Sequence, residues 1–307
     1  MKADVIFEGG GIKGIGFVGA VVYLENQGFS WEKLAGTSAG SIVAALLAVG
    51  YSGKELKDLL LSLKYKNLLG VSSLKTIPFF GVKNYFSLFK RWGIYTGDEL
   101  ESWIEDLLQK KGKTKFKDLY VNGESRLKII ASDITNRDIL ILPDDLVNYG
   151  IDPLEFKISK AVRMSISIPI FFRPVILKYK NKLSYVVDGG IISNFPIWIF
   201  DTDRTPRWPT FGFKLKENSL SNTALGKKDI ISYLIDIVDT VVDKKEERYF
   251  PLKDRVRTIE IQTLGVKTTE FNISTEKSVE LFNSGYKSAR DFYNSWNFNE
   301  YIKKYRG

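Results

Sequence analysis

The chain has 307 residues, of which 44% are hydrophobic and 26% charged, and it carries a formal net charge of +9. That is long enough to bury a large core, and the balance is that of a globular protein. It contains no cysteine and no histidine. Disulfides, thiolate nucleophiles, Cys- or His-based metal sites and every catalytic arrangement built on an imidazole base are therefore excluded. The positive balance favours anionic partners such as a membrane surface or nucleic acid, although scattered lysines on a soluble protein give the same sum. Met1-Lys2-Ala3-Asp4 leads directly into an apolar run with no leader-like segment before it. No window approaches the roughly 18 apolar residues of a membrane-spanning helix. The expectation is a cytoplasmic protein, peripheral at a membrane at most, or one secreted without a cleaved signal.

Val5-Ile6-Phe7 reads as a buried parallel strand. It runs into Gly9-Gly10-Gly11-Ile12-Lys13-Gly14, after which a helix is expected from Gly16 to Gln27, stopped by Gly28. Lys33-Leu34-Ala35 ends a second strand, and Gly36-Thr37-Ser38-Ala39-Gly40 follows it. The run Ser41 to Ala48 then reads as a helix. Ser38 thus lies where a strand turns sharply into a helix, the context of a nucleophile elbow. Gly36 and Gly40 remove the bulk that a crowded turn cannot hold.

The glycine loop has three readings. Gly9-x-Gly11-x-x-Gly14 matches a dinucleotide fingerprint, but the next strand ends in the serine elbow rather than in a ribose-binding acid. It is no P-loop, because Gly14 follows Lys13. A plain tight turn is the second reading. The third, which the neighbouring elbow favours, is an oxyanion hole built from the N–H groups of Gly9, Gly10 and Gly11.

Further along, a helix over 53–63 precedes a stretch in which Phe79, Phe80, Tyr85, Phe86, Phe89 and Trp92 alternate with Lys75, Lys83, Lys90 and Arg91. Rings and cations interleaved in this way suit a lipid headgroup boundary, so Phe79, Phe80, Phe86, Phe89 and Trp92 are candidate membrane contacts; the competing reading is a core with a solvated rim. Thr96-x-x-Glu99 has the form of a capping box before a helix that ends at Gly112. Leu127–Asp133 and Ile139–Leu142 read as strands, Asp152–Met164 as a helix. Val175–Leu177 and Tyr185–Val187 read as strands, the latter entering Asp188-Gly189-Gly190. Strands over Pro209–Leu215 and Val256–Gln262, separated by a helix near 228–246, and a last helix with Val279, Phe282, Tyr286, Ala289, Tyr293 and Trp296 on one face complete the chain.

A serine hydroxyl needs a base. Without histidine the choices are Asp, Glu, Lys or Tyr. Asp188 is placed best, at a strand end on a tight turn, and partial burial would raise its pKa toward that of a useful base. Asp133, also ending a strand, competes. Lys13 falls inside the glycine loop and reads as a support for it. Arg163 reads equally as an organiser of the site loops or as a paired surface arginine, and Asn194 as a turn asparagine or as a support for the Asp188 turn.

Taken in order, Gly9-Gly10-Gly11-Ile12-Lys13-Gly14, Gly36-Thr37-Ser38-Ala39-Gly40 and Asp188-Gly189-Gly190 resemble the patatin-like phospholipase family over roughly residues 4–202. Asp98–Leu108, Ala161–Phe172 and Asn194-Phe195-Pro196 also resemble it. One departure is Glu8, where the family usually has Asp. The resemblance implies an α/β fold, a three-layer α/β/α sandwich with a mostly parallel central sheet. It implies a catalytic core over 4–202 and fades after about residue 203; because the linkers show no strong composition break, residues 203–307 are expected to pack on the same core as a helical C-terminal extension, giving one compact domain. It further implies a serine acyl hydrolase acting on lipid esters with neither metal nor cofactor. Ser38 would be the nucleophile and Asp188 the base, with Gly9, Gly10, Gly11 and Ala39 as oxyanion donors and Gly14, Gly36, Gly40, Gly189 and Gly190 completing the motifs. Phospholipids, lysophospholipids and neutral glycerides are the candidate substrates. A non-catalytic lipid- or nucleic-acid-binding protein on the same fold is the rival reading, and nucleic acid is the less expected partner.

Overall fold

Ala3, Val5, Ile6 and Phe7 are apolar on both sides of an extended chain, which suits a strand covered on both faces. In the computed structural model, which describes residues 1–63, 68–69, 92–217, 240, 250–268, 270 and 272–305, this strand is β1 (Lys2–Phe7), buried from Ala3 onward. It lies in the middle of an eight-stranded sheet. On one side β1 pairs in parallel with β2 (Ser30–Thr37), and β2 with β6 (Leu127–Asp133). On the other it pairs in parallel with β11 (Thr210–Lys216), and β11 with β12 (Thr258–Gln262). Three antiparallel strands complete the sheet: β7 (Asp138–Leu142) and β10 (Lys182–Asp188) on β6, and β9 (Val175–Tyr179) on β10. Two small ribbons, β3 (Gly93–Tyr95) with β8 (Ile170–Phe172) and β4 (Tyr120–Val121) with β5 (Glu124–Ser125), stand apart.

The register on β6 has a consequence for the site. β7 pairs with residues 129–133 of β6, so it occupies one edge of that strand. β2 pairs with 127–130 and β10 with 131–133, so both share the other edge. β2 ends with Thr37 opposite Ile130, and β10, running the opposite way, ends with Asp188 opposite Ala131. The two chain ends therefore meet head to head at one point along β6.

Alternation along β1 and β2 splits the core. Val5, Phe7 and Leu34 join the main cluster, with Phe17, Leu24, Leu46 and Leu281 from the helices. Ile6 and Ala35 face the other way, onto Phe195 and Ile197. The fold is α/β with a mostly parallel central sheet, as the sequence implies. Residues beyond the expected core add β11 and β12 to the same sheet. They also add a long helix, α6 (Thr275–Ser295, numbered after those introduced below), that lies on α1 (Ile15–Asn26). That contact is backbone on backbone: a Cβ at Gly19 would lie 1.9 Å from the Phe282 carbonyl oxygen, and one at Gly285 would lie 1.8 Å from that of Gly16.

Several elements differ from the sequence reading. The helix expected over 152–164 is only α5 (Ile158–Ser165). The backbone before it bonds elsewhere, with Phe116 N on the Phe156 carbonyl at 3.1 Å and Lys117 N on that of Leu154 at 3.0 Å. Helix α4 (Asp98–Lys110) is capped not by Thr96 but by Gly97 at φ 79. The Thr96 hydroxyl, one residue earlier than the cap position, still accepts from Asp98 N at 3.3 Å and donates to Glu99 Oε2 at 3.4 Å, while its carbonyl accepts from Arg163, whose Nε would lie 2.4 Å from any Cβ at Gly97. The last helix stops at Ser295, with Phe282 and Ala289 buried but Val279 38% exposed, and a short α7 (Phe298–Tyr305) follows that the sequence reading lacked. Helices α2 (Ala39–Val49) and α3 (Gly53–Ser62) agree with it. The helix expected near 228–246 lies outside the described residues apart from Thr240.

Gly285→Ala pushes a methyl group into the α1 backbone. Overpacking of this kind costs about 1–3 kcal/mol or more, so the urea midpoint should fall clearly, whereas Gly112→Ala, whose Cβ meets nothing within 4 Å, should lose only what its φ of 67° costs. Equilibrium urea unfolding of the two variants measures the difference.

Candidate active site

Ser38 follows the last residue of β2 and caps α2, with φ 50 and ψ −123. A non-glycine residue in that region is strained and persists only where its surroundings fix it. Here they do. The Ser38 carbonyl accepts from Ser41 N at 2.9 Å and from Ser41 Oγ at 2.6 Å. The Ser38 N–H donates to Ser165 Oγ at 2.8 Å, and that hydroxyl donates to the Ile130 carbonyl at 2.5 Å. The motif glycines have steric reasons. A Cβ at Gly36 would lie 2.3 Å from the Gly40 carbonyl, and one at Gly40 2.4 Å from that of Phe7, because α2 folds directly back over the strand ends. Gly14 faces Ala39 in the same way, with a Cβ 3.3 Å from that of Ala39.

Asp188 ends β10 and is 2% exposed. Its Oδ1 accepts from Gly190 N at 2.8 Å and its own N–H donates to the Ser167 carbonyl at 3.0 Å. A Cβ at Gly189 would lie 2.4 Å from the Ile130 carbonyl and 2.9 Å from Thr37 Cγ2, so the turn is pressed onto the end of β2. Burial pushes the Asp188 carboxyl up to about 6, against the Ser38 hydroxyl and the Gly190 N–H, which favour its charged form. The hydroxyl is near enough to act on the charge, yet Oδ2 is buried and accepts no hydrogen bond of ordinary geometry. The structure therefore brings the two residues together while leaving one carboxylate oxygen open to accept a proton.

The loop Gly9–Gly11 lies against the same point. A Cβ at Gly9 would lie 3.3 Å from Ser38 Cβ and 2.2 Å from Asn194 Oδ1. The Gly9 N–H is taken by the Asn194 carbonyl at 3.2 Å, which gives Gly9 a spacing role and removes it as a free donor. Among the described residues, no acceptor engages the N–H groups of Gly10, Gly11 or Ala39. Ala39 opens a helix, where such groups have no partner of their own. Glu8 uses its length to reach β11, where Oε2 accepts from Leu215 N at 2.6 Å, with Lys214 Nζ 3.6 Å from Oε1.

The competing bases are occupied elsewhere. Asp133 is two pairs along β6 from the junction. Its carboxylate accepts from Tyr149 OH at 2.6 Å, Asn136 Nδ2 at 2.7 Å, Thr135 N at 2.8 Å and Asn136 N at 3.0 Å. Burial raises its pKa, but these bonds outweigh it and hold the carboxyl below its ordinary value, making it a weak base. Lys13 is buried and paired with Glu217 at 2.7 Å, beneath the loop. Arg163 is 3% exposed and, among the described residues, forms no salt bridge with a carboxylate. It donates to Ser167 Oγ at 2.5 Å, to the Arg173 carbonyl at 2.8 Å and to the Thr96 carbonyl, which makes it an organiser of the loops behind the site. Asn194 supports the glycine loop rather than the Asp188 turn.

Sequence reasoning missed Ser165 and Ser167. The hydroxyl of the first holds the Ser38 N–H and the carbonyl of the second holds the Asp188 N–H, so the end of α5 sets both partners. The local pattern Ser165-Ile166-Ser167-Ile168-Pro169 signals only a helix terminus. Of the expected membrane contacts, Phe79, Phe80, Phe86 and Phe89 lie outside the described residues. Trp92 is 59% exposed and stacks on Tyr185 at 5.1 Å. Among the described residues, no helix is long and apolar enough to cross a membrane and no carboxylate cluster could hold a metal ion.

Known proteins resemble this chain in sequence or in fold to different degrees. The uncharacterized protein YqhO of Bacillus subtilis (strain 168) is 36% identical over 300 residues, covering 97% of this chain and 100% of its own length. The probable lipid hydrolase 463L of invertebrate iridescent virus 6 is 28% identical over 193 residues, covering 63% of this chain and 61% of its own. Among solved structures, VipD of Legionella pneumophila superposes with a TM-score of 0.55 at 18% identity, over 95% of this chain and 67% of VipD. ExoU of Pseudomonas aeruginosa, solved with SpcU, gives 0.53 at 18% identity over 95% of this chain and 51% of its own; at these identities the likeness is one of fold. The sequence profile of the patatin-like phospholipase family matches residues 5–201, the segment that holds the elbow, the glycine loop and Asp188, and the chain belongs to that family.

Proposed function

We propose that this protein is a serine acyl hydrolase that cleaves carboxylic esters of lipids through Ser38 and Asp188. The observation that carries the reading is the junction on β6. A strained, buried serine meets a buried carboxylate whose Oδ2 has no other partner, beside three N–H groups with no described acceptor. Family membership and the likeness to a probable lipid hydrolase support a lipid ester as substrate.

Ser38 Oγ attacks the ester carbonyl carbon as Asp188 Oδ2 takes its proton. The N–H groups of Gly10, Gly11 and Ala39 stabilise the oxygen that becomes negative. Collapse breaks the bond to the alcohol, which leaves with the proton from Asp188. Water then attacks the acyl-enzyme, with Asp188 again as base, and releases the fatty acid and the free serine. Phospholipid is the first substrate class to test, with lysophospholipids and neutral glycerides as alternatives on the same dyad.

Ser38→Ala should abolish turnover of a short p-nitrophenyl ester while circular dichroism stays native, and a serine-directed phosphonate should label the wild type alone. A binding module on this fold, for lipid or nucleic acid, would show neither turnover nor labelling. Normal turnover in a folded Ser38→Ala would remove Ser38 as the nucleophile.

Asp188→Asn should cost on the order of 10²–10⁴-fold, and Asp133→Asn much less once corrected for folded protein. Because the base works ionised, wild-type turnover should fall as pH drops through about 6. The residual activity of Asp188→Asn should lack that limb. Stability moves in the opposite sense. A carboxyl whose pKa is raised by folding favours the folded state while protonated, below its unfolded value of 3.8, and loses that contribution as pH rises through about 6. Asp188→Asn should therefore be more stable than wild type at pH 7, and the gap should close near pH 4. Burial also pushes Asp4 up to about 6, so the difference between the proteins, not the wild-type curve alone, isolates Asp188.

Ser165→Ala strips a buried acceptor from the Ser38 N–H and a donor from the Ile130 carbonyl, at a cost of about 1–3 kcal/mol. If Ser165 positions the nucleophile, kcat per phosphonate-titrated site should fall while KM stays close to wild type. A purely structural role would lower the titratable fraction and leave kcat per site unchanged.

A further inference from the structure

The strand that delivers Asp188 also carries a surface that the proposed chemistry leaves unused. β10 pairs with β6 only from Val186 to Asp188. Its earlier residues, Lys182 to Tyr185, continue past the C-terminal end of β6, with β9 as their strand partner and with Tyr185 held to the loop after β6, its carbonyl accepting from Ile134 N at 3.1 Å and its N–H donating to Thr135 Oγ1 at 2.9 Å. At about 3.4 Å per residue the turn between β9 and β10 stands roughly 20 Å along the strand from Asp188. It projects from the end of the parallel strands at which Ser38 lies. Lys180, at φ 52, helps to make that turn tight.

The hairpin has two unlike faces. Val175, Leu177, Ser184 and Val186 turn inward and are buried. On the other face Ile176 stands opposite Tyr185, and Lys178 opposite Leu183. Ile176 and Leu183 are each 45% exposed, Trp92 stacks on Tyr185, and Ile134 beside them is 46% exposed. Lys178 shares this face, Lys180 lies in the turn, and Lys182, opposite Tyr179, falls on the other register at the tip beyond the core; all three are exposed, and none forms an ion pair among the described residues. From Arg173 to Val187 the sequence has four cations and no Asp or Glu. Lysines alone on an edge strand would serve to repel other strands. Exposed isoleucine, leucine and tryptophan among them have no such use and would raise the risk of self-association. Apolar and aromatic groups ringed by unpaired cations are the composition that enters an anionic lipid interface.

We propose that the outer face of the β9–β10 hairpin, with Trp92, is the surface on which this protein docks onto an anionic lipid bilayer. The inference builds on the reading of the site as a lipid hydrolase, because it places a membrane at the end of the parallel strands where Ser38 lies. Docking there sets the junction of Ser38 and Asp188 close to the headgroup layer, with the hairpin lying in it.

The test is sedimentation with vesicles of phosphatidylcholine alone and of phosphatidylcholine with phosphatidylglycerol. Wild type should bind the anionic vesicles, less so as salt is raised, and bind the neutral ones weakly. Lys178→Gln/Lys180→Gln/Lys182→Gln should lose about a hundredfold in binding to anionic vesicles and most of the salt dependence. Ile176→Ser/Leu183→Ser should weaken binding while keeping the salt dependence. Both should keep the melting temperature and the soluble-ester turnover of the wild type. Wild-type vesicle binding in either variant would overturn the proposal, and so would dimerisation through the β9 edge with no binding to vesicles. Vesicle binding and ester turnover are read separately. A protein that binds anionic vesicles through the hairpin but has no ester turnover contradicts the hydrolase reading alone.

Discussion

The candidate site depends on an interruption along one edge of β6. A strand has two edges, and β7 fills one of them. Along the other, β2 supplies pairing as far as Ile130 and then leaves, because its chain must turn at Ser38 into α2. The peptide groups of β6 beyond that point still need partners in a buried setting. β10 provides them from the opposite direction and stops where β2 stopped, with Asp188 opposite Ala131. Ser38 and the Asp188 carboxylate are thus juxtaposed by backbone pairing. Glycine is required at 36, 40 and 189 because three chain segments cross at that junction.

Two buried aspartates near the end of β6 show how environment divides similar groups. Both are desolvated. Asp133 accepts four hydrogen bonds and its charge is stabilised. Asp188 accepts one of ordinary geometry and is left with an open oxygen, so its carboxyl is pushed up toward neutrality. A group that holds its charge loosely, beside a hydroxyl, is the better proton acceptor. The surrounding rigidity comes from α5. Ser165 and Ser167 fix the two sides of the junction, and the Arg163 guanidinium, spent entirely on carbonyl and hydroxyl oxygens, ties that helix end to Thr96 and Arg173.

The same antiparallel strand joins the site to its surroundings. One end of β10 is buried at the junction and the other rises with β9 beyond the parallel strands. A single element therefore runs from the catalytic carboxylate proposed here to a cationic, apolar surface. At the far side of the sheet, α6 closes on α1 through Gly19 and Gly285, so the segment after the family match is built into the same core as β1 and β11.

Much of this was legible in the residues. Absence of histidine and cysteine narrowed the chemistry to a carboxylate, lysine or tyrosine base. The apolar runs fixed the buried strands, and glycine spacing marked the elbow and the loop, because backbone geometry at those points is local and excludes side chains. What depended on distant partners was not legible. The sequence showed Asp188 and Asp133 alike at strand ends, and only the pairing of β6 with both β2 and β10 put one at Ser38 and enclosed the other among Tyr149 and Asn136. Gly9 read as a free donor until Asn194, far along the chain, took its N–H. The helix expected from Asp152 was shortened by backbone bonds to 114–117, and the start of α4 moved one residue on from Thr96 to Gly97. Composition and local spacing determine which residues are able to do chemistry, because those properties travel with the side chain. Which of them meet, and with what charge, is decided by strand register and burial, which exist only once the chain has folded.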